Sequence, residues 1–101
     1  MQDQFLETQS IIQKYFRSKY LHFIYPIHRE SKRTQNFHYM FCRNVEIAYF
    51  SLNKQERLYF DNEFFYPNIK FWWKKSYTEE EFLSLKKSAT SNFMRRFYEI
   101  H

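Results

Sequence analysis

The chain has 101 residues, of which 24% are aromatic, a formal net charge of +5 and no glycine. This length is that of one domain with a modest core, so residues 1–101 are expected to form a single domain. Because only a residue without a Cβ adopts positive φ freely, the absence of glycine argues against phosphate-binding loops, dinucleotide fingerprints and tight hairpins. The familiar nucleotide enzymes and hairpin-rich β proteins are therefore not expected.

The sequence also predicts the compartment. The single cysteine, Cys42, cannot form an internal disulfide, and the first four residues, Met-Gln-Asp-Gln, lack the basic start of a signal peptide. The longest apolar stretch, residues 21–27, is interrupted by His22 and Pro26 and is much shorter than the roughly 20 residues that a spanning helix needs. We therefore expect a cytoplasmic protein with no membrane anchor.

The N-terminal part, residues 1–51, contains two predicted helices. The first runs from about residue 3 to residue 25, before Pro26, because apolar residues recur at helical spacing: Phe5, Ile12, Phe16, Tyr20 and Phe23. Residues 29–36 are polar and basic, and a loop is expected there. The second helix is predicted over residues 36–50, with an apolar stripe of Phe37, Phe41, Val45 and Ala48, flanked by Met40 and Ile47.

The C-terminal part, residues 52–101, has two helix starts marked by capping boxes. Asn53 is followed three residues later by Glu56, and Thr78 by Glu81. The first helix should end before Pro67, because the residue before a proline avoids the α region. The second helix has a polar face of Ser84, Lys87, Ser91 and Arg95 and an apolar face of Phe82, Leu85, Ala89, Phe93, Phe97 and Ile100. Residues 71–75 between them are a candidate for a brief further helix, and the fold class is an all-α domain of four to five helices.

Two capped helices joined by a break have the layout of a C-terminal helix-turn-helix. Residues 52–57, Leu-Asn-Lys-Gln-Glu-Arg, resemble the L-T-x-x-E-R opening of region four in bacterial sigma factors. Residues 77–89 are similar to that family's recognition-helix pattern, V-S-x-x-x-V-x-x-I-x-x-x-A, and to the small phage late-transcription activators related to region four. Residues 62–65, residues 71–73 and the last helix resemble a small uncharacterised mollicute protein family with the same helix-turn-helix.

The resemblance implies that a recognition helix begins at Thr78. Its base-reading positions would then be Glu79, Glu80, Leu83, Ser84 and Lys87. The sequence departs from the family here, because residues 79–81 are all glutamate where DNA-reading members carry arginine and polar residues, and like charge near phosphates is unfavourable. The glycine common in the family's turn is also absent, and Lys74 and Lys75 stand in that region.

From these features we expect a DNA-binding or transcription-associated protein whose partners are double-stranded DNA and RNA polymerase. The sequence pI of about 9.4 suits a polyanion. Ser84, Lys87 and Ser91 would face the groove, and the phosphates would be contacted by Lys74, Lys75, Lys86, Lys87, Arg95 and Arg96. A solvated, charge-striped face is the alternative, since residues 1–51 carry 7 basic and 4 acidic residues and residues 52–101 carry 9 and 7.

Aromatic residues crowd into positions 59–77. They can be core residues with polar rims, or they can form a surface that docks RNA polymerase or a second copy of the chain without reading DNA. The partner-binding residues of this second interpretation are Phe65, Tyr66, Trp72 and Trp73. Base stacking is the least favoured interpretation, because the flanks contain no glycine and no β platform is predicted.

No residue pattern predicts catalysis or metal binding. The histidines lack a Cys or His partner at metal-ligand spacing; they are His22, His28, His38 and His101. Cys42 is better interpreted as a small core residue than as a nucleophile, and the acidic triplet at residues 79–81 is explained by the helix start. We therefore expect no enzyme, no cofactor, no metal and no small-molecule substrate.

Overall fold

Four helices make up the fold in the computed structural model, which describes residues 4–20, 32–67 and 69–100. They are α1 (Gln4–Lys19), α2 (Lys32–Phe50), α3 (Lys54–Phe60) and α4 (Glu79–Ile100), and a π-helical segment (Asp61–Phe65) continues α3. The described residues contain no strand. The all-α prediction is confirmed.

The predicted apolar stripe of α1 is partly wrong. Ile12 is buried as expected, but Phe16 and Tyr20 are exposed, and Tyr15 occupies the core instead. The face of α1 that packs inward also carries two small residues, Thr8 one turn before Ile12 and Ser18 one turn after Tyr15. Small side chains at these positions allow neighbouring helices to approach closely. The remainder of the predicted helix, with Phe23 and the stop at Pro26, lies outside the described residues.

Helix α2 begins at Lys32, so the loop predicted over residues 29–36 is wrong from that residue onward. The predicted stripe is confirmed at Phe41, Val45 and Ala48, which are buried, whereas Phe37 is 56% exposed. This stripe therefore begins to contact the core only at the middle of the helix.

Helix α3 starts where the capping box predicts. The Asn53 side chain accepts the backbone N–H of Glu56 at 2.8 Å, and the Glu56 carboxylate accepts the backbone N–H of Asn53 at 3.1 Å. Helical structure ends at Phe65, before Pro67, as predicted. The wider π turn is closed by the Tyr66 N–H, which donates to the Asp61 carbonyl at 2.6 Å.

Helix α4 supplies the centre of the core. The predicted apolar face is confirmed at Ala89, Phe93 and Phe97, which are buried, and Phe82 and Leu85 are half-buried against them. The side chain of Ile100 lies outside the described residues. Phe93 packs on Phe60 of α3, and Phe97 packs on Phe41 of α2, with ring centroids 4.9 Å and 5.9 Å apart.

We call residues 66–78, which join the π-helical segment to α4, the connection. The brief helix predicted over residues 71–75 is wrong: the chain forms turns, closed by the Lys74 N–H on the Phe71 carbonyl at 3.2 Å and the Ser76 N–H on the Trp73 carbonyl at 3.0 Å. The turn of a helix-turn-helix has roughly three to four residues, so the connection is much longer. Phe71 takes a positive φ of 58°.

Candidate nucleic-acid interface

The N-terminal end of α4 is built around the second predicted capping box, which is confirmed. The backbone N–H of Glu81 donates to the Thr78 hydroxyl at 3.1 Å, and the backbone N–H of Thr78 donates to the Glu81 carboxylate at 2.9 Å. Hydrogen bonding of the Glu81 carboxylate to the backbone N–H and to the side chain of Thr78 lowers the pKa of this carboxyl group. Glu79 and Glu80 are exposed in the same turn, where they complement the positive end of the helix dipole.

Beyond this first turn, α4 presents a polar face to solvent. Ser84 and Lys87 are exposed, and Lys74 and Lys75 are exposed on the connection just before the helix. Among the described residues, the ion pairs are made by Lys19, Arg95 and Arg96, so these three lysines take part in none. No carboxylate of the described residues therefore neutralises their charges.

Four further residues of the predicted DNA surface make contacts with other side chains of the chain. The ammonium of Lys86 lies 4.3 Å from the centroid of the Phe5 ring, and the Ser91 hydroxyl donates to the Gln4 side chain at 2.7 Å. Arg95 and Arg96 both pair with Glu99 on α4, at 3.2 Å and 3.5 Å. The N-terminal end of α1 therefore borders the predicted surface along one side of α4.

The predicted partner-binding residues differ in exposure. Tyr66 is 72% exposed, whereas Phe65 is half-buried and packs edge-on against Tyr15 and Tyr49. Both tryptophans are half-buried as well. The indole N–H of Trp72 donates to the Glu63 carboxylate at 2.9 Å, and Trp73 stacks on Phe82 with centroids 4.4 Å apart and planes at 12°. Trp72 and Trp73 therefore anchor the connection to the helices.

A cleft of about 540 Å³ opens between the connection, the π-helical segment, α4 and the start of α1. Of its lining, the sequence predicts Trp72, Trp73 and Lys86 as site residues. The residues that sequence reasoning missed include Ile69, which is 70% exposed, Phe71, which is 53% exposed, and Lys70 between them. The glycine-free composition does indicate that a turn needing positive φ must use another residue type, but it does not identify which one.

The described cysteine and histidine lie in different surroundings on α2. Cys42 is buried, as predicted, and burial together with the nearby Glu46 carboxylate raises the pKa of its thiol to about 11. His38 is half-buried on α2. No three potential metal ligands come together within the described ranges. The other histidines, at positions 22, 28 and 101, lie outside them.

Comparison of the chain with protein-family models, with curated proteins and with solved structures finds no match. Within the part of the chain that the structure describes, no helix combines the length and the apolar character that a membrane crossing requires.

Proposed function

We propose that this chain is a DNA-binding, transcription-associated protein that holds duplex DNA against the exposed face of α4 and the adjoining end of the connection. The observation that carries the proposal is the set of exposed lysines without a carboxylate partner among the described residues: Lys74, Lys75 and Lys87. Duplex DNA carries one negative charge per about 1.7 Å of axis, and each neutralised phosphate releases counterions. Such a surface gains free energy on binding without first breaking ion pairs.

The position of the glutamates determines which part of α4 faces the DNA. Glu79 and Glu80 would repel phosphates, so the contact begins at Ser84 and continues through Lys87 toward the C-terminal end. Arg95 and Arg96 can join it, because exposed ion pairs such as theirs with Glu99 contribute only about 0.2–1 kcal/mol. In this arrangement α3 and α4 correspond to the two helices of a helix-turn-helix with an enlarged turn. Phosphate contacts, which position the protein on the duplex, then predominate over the base contacts that would specify a sequence.

The test is the affinity for a labelled duplex, measured by fluorescence anisotropy over a series of salt concentrations. Contacts from Lys74, Lys75 and Lys87 predict that the logarithm of the binding constant falls with the logarithm of salt concentration with a slope of about −3. In the double variant Lys75→Glu/Lys87→Glu, the slope should decrease in size by about 2 and the affinity should fall for every duplex sequence.

Arg17→Glu is the matched control. Arg17 is exposed on α1, where it lines a different cleft together with His38 and with no residue of the connection. Its substitution by glutamate changes the charge by the same amount as each Lys→Glu substitution. Its effect should be limited to the small shift caused by net charge. Salt-independent binding, or equal losses in the control and in single Lys87→Glu, would contradict the proposal.

The exposed aromatic and apolar residues of the connection favour a second candidate, a protein-interaction module. Tyr66 and Ile69 are more than two-thirds exposed, and an apolar surface of this kind is typical of docking sites. Such a module would bind purified RNA polymerase or form a dimer, and Tyr66→Ser would abolish either interaction without changing affinity for a duplex. Sedimentation analysis and a binding assay with the purified polymerase measure both.

A further inference from the structure

The cleft beside α4 combines an exposed aromatic ring with an excess of positive charge. Lys70 and Lys86 line it, and the ammonium of Lys74 lies 4.3 Å from the centroid of the Phe71 ring. Glu63 is the acidic residue of the lining, and its carboxylate already accepts the indole N–H of Trp72. The volume of the cleft, about 540 Å³, is within the range of roughly 300–1,000 Å³ for ligand sites.

Phe71 is the unusual residue of this cleft. Its φ of 58° is strained for a residue with a large side chain, and backbone strain in folded proteins concentrates at binding and active sites. The strained backbone carries a ring that is 53% exposed. Lys70 approaches the same ring, with its ammonium 5.7 Å from the centroid. The structure therefore keeps an aromatic ring at the surface whose centroid lies within 5.7 Å of two cations.

We propose that this cleft binds single-stranded nucleic acid, with one base stacked on Phe71 and the neighbouring phosphates contacted by Lys70, Lys74 and Lys86. This deepens the proposed function and rests on the nucleic-acid-binding role stated there. The alternation of flat rings and anions along a nucleic-acid strand matches a ring flanked by ammonium groups. In a duplex the bases are stacked within the helix, so only an unpaired base can reach Phe71.

The binding step exchanges one set of contacts for another. In the free protein the lysine ammoniums cover the Phe71 ring through cation–π contacts, which are weak at exposed sites. A stacked base gains more than such a contact provides, and each displaced ammonium then gains a phosphate. An acidic peptide would supply the anions but not the flat ring, so it should bind weakly and without dependence on Phe71.

The experiment compares four labelled oligomers of equal length by anisotropy: single-stranded DNA, single-stranded RNA, an abasic sugar-phosphate strand and duplex DNA. Phe71→Gly removes the ring and is compatible with the positive φ. We expect it to weaken binding of single strands about tenfold and to leave the abasic strand and the duplex unchanged. The DNA and RNA strands determine which sugar the cleft accepts. Lys87→Glu, outside the cleft lining, should weaken the duplex more than the single strand.

Each outcome separates this proposal from the function on which it rests. If the duplex binds but Phe71→Gly leaves single-strand affinity unchanged, the cleft proposal is wrong and the α4 surface stands. If Phe71→Gly lowers single-strand affinity while the duplex does not bind, the cleft stands and the duplex surface falls. If the abasic strand binds as well as single-stranded DNA, the cleft is only a polyanion site and the proposal falls; labelled poly-glutamate, added to the series as an acidic peptide, decides the same point. If Phe71→Gly fails to fold by circular dichroism, Phe71→Asn takes its place.

Discussion

Two regions join α3 to α4, and they are built in opposite ways. One is the packing contact, where Phe60 lies against Phe93 and where Glu56, which is 3% exposed, accepts hydrogen bonds from Ser88 and Asn92. The other is the connection, in which Phe71 is half-exposed at a positive φ. The packing contact thus holds α3 and α4 together, whereas the connection places exposed side chains beside them.

This difference implies a division of tasks within the C-terminal part. Burial at the packing contact stabilises the fold, because apolar area removed from water contributes about 25 cal/mol per Å². The exposed rings of the connection remove little apolar area from water and therefore contribute little to stability. The fold tolerates their exposure because the packing contact already holds the helices together. Substitutions in the two regions should therefore separate stability from ligand binding.

The largest expected effect is that of Phe60→Ala in the packing contact. Phe60 is fully buried and its ring packs on Phe93 at 4.9 Å and on Phe64 at 5.1 Å. The cavity left by this substitution should lower the free energy of unfolding by about 3–5 kcal/mol, measured by urea denaturation. Phe71→Ala makes the same chemical change in the connection. A loss of equal size there would contradict the division of tasks.

Next in size is Glu56→Ala. The Glu56 carboxylate caps α3 through the Asn53 N–H and also accepts the Ser88 hydroxyl and the Asn92 amide of α4. Its removal deprives these donors of their protein acceptor at a buried position, so the free energy of unfolding should fall by about 2–4 kcal/mol. The matched control is Glu81→Ala, which alters the corresponding position of the other capping box. Glu81 is exposed, and equal losses at both positions would mean that capping alone explains the effect of Glu56.

A smaller effect, of opposite sign, is expected for Phe71→Gly. Relief of a left-handed backbone conformation is worth about 1–2 kcal/mol, and the flexibility of glycine in the unfolded chain costs about 0.5–1 kcal/mol. The free energy of unfolding should therefore rise by up to about 1.5 kcal/mol. Lys74→Gly is the control, because Lys74 is also exposed in the connection but has no positive φ. It should lower stability, and a loss for both variants would contradict the assignment of strain to Phe71.

The same contrast explains how much of the structure the sequence predicts. Helix starts at Asn53 and Thr78 are local, because a capping box involves residues three apart, and both predictions are confirmed. Glu56 also makes tertiary contacts, because its carboxylate accepts hydrogen bonds from Ser88 and Asn92 of α4. These residues lie far along the chain, so no local pattern predicts the contacts. The stripe of α1 fails for a related reason: Tyr15 and Phe16 both fit a helical spacing from Ile12, and only tertiary packing, which includes the contacts of Tyr15 with α2, selects Tyr15.

The connection was the least predictable region for a different physical reason. The three aromatic residues and two lysines at positions 71–75 are compatible with a helix, and neither helix propensity nor hydrophobic spacing predicts a positive φ at Phe71. The predicted phosphate-contacting residues stay a prediction. The structure does add the contacts that bear on it, namely Lys86 on Phe5 and Ser91 on Gln4. Both arise from α1, whose pairing with α4 could not be inferred from either segment alone.

The smallest expected effect concerns the pH dependence of the exposed capping box. The pKa of Glu81 is lowered because its carboxylate accepts a hydrogen bond from the Thr78 backbone N–H and is also hydrogen-bonded by the Thr78 side chain. A lowered pKa means that the folded state favours the charged form. The stabilisation is therefore present above the unfolded value of about 4.3 and is lost as the pH falls through the folded value.

Glu81→Gln keeps an acceptor and removes the charge, so its melting temperature should be below that of the wild type at neutral pH and should converge with it in acid. Glu80→Gln removes a charge from the same turn without touching the cap. An equal pH-dependent difference in both variants would assign the effect to the helix dipole, whereas a difference confined to Glu81→Gln would assign it to the cap that joins the connection to α4.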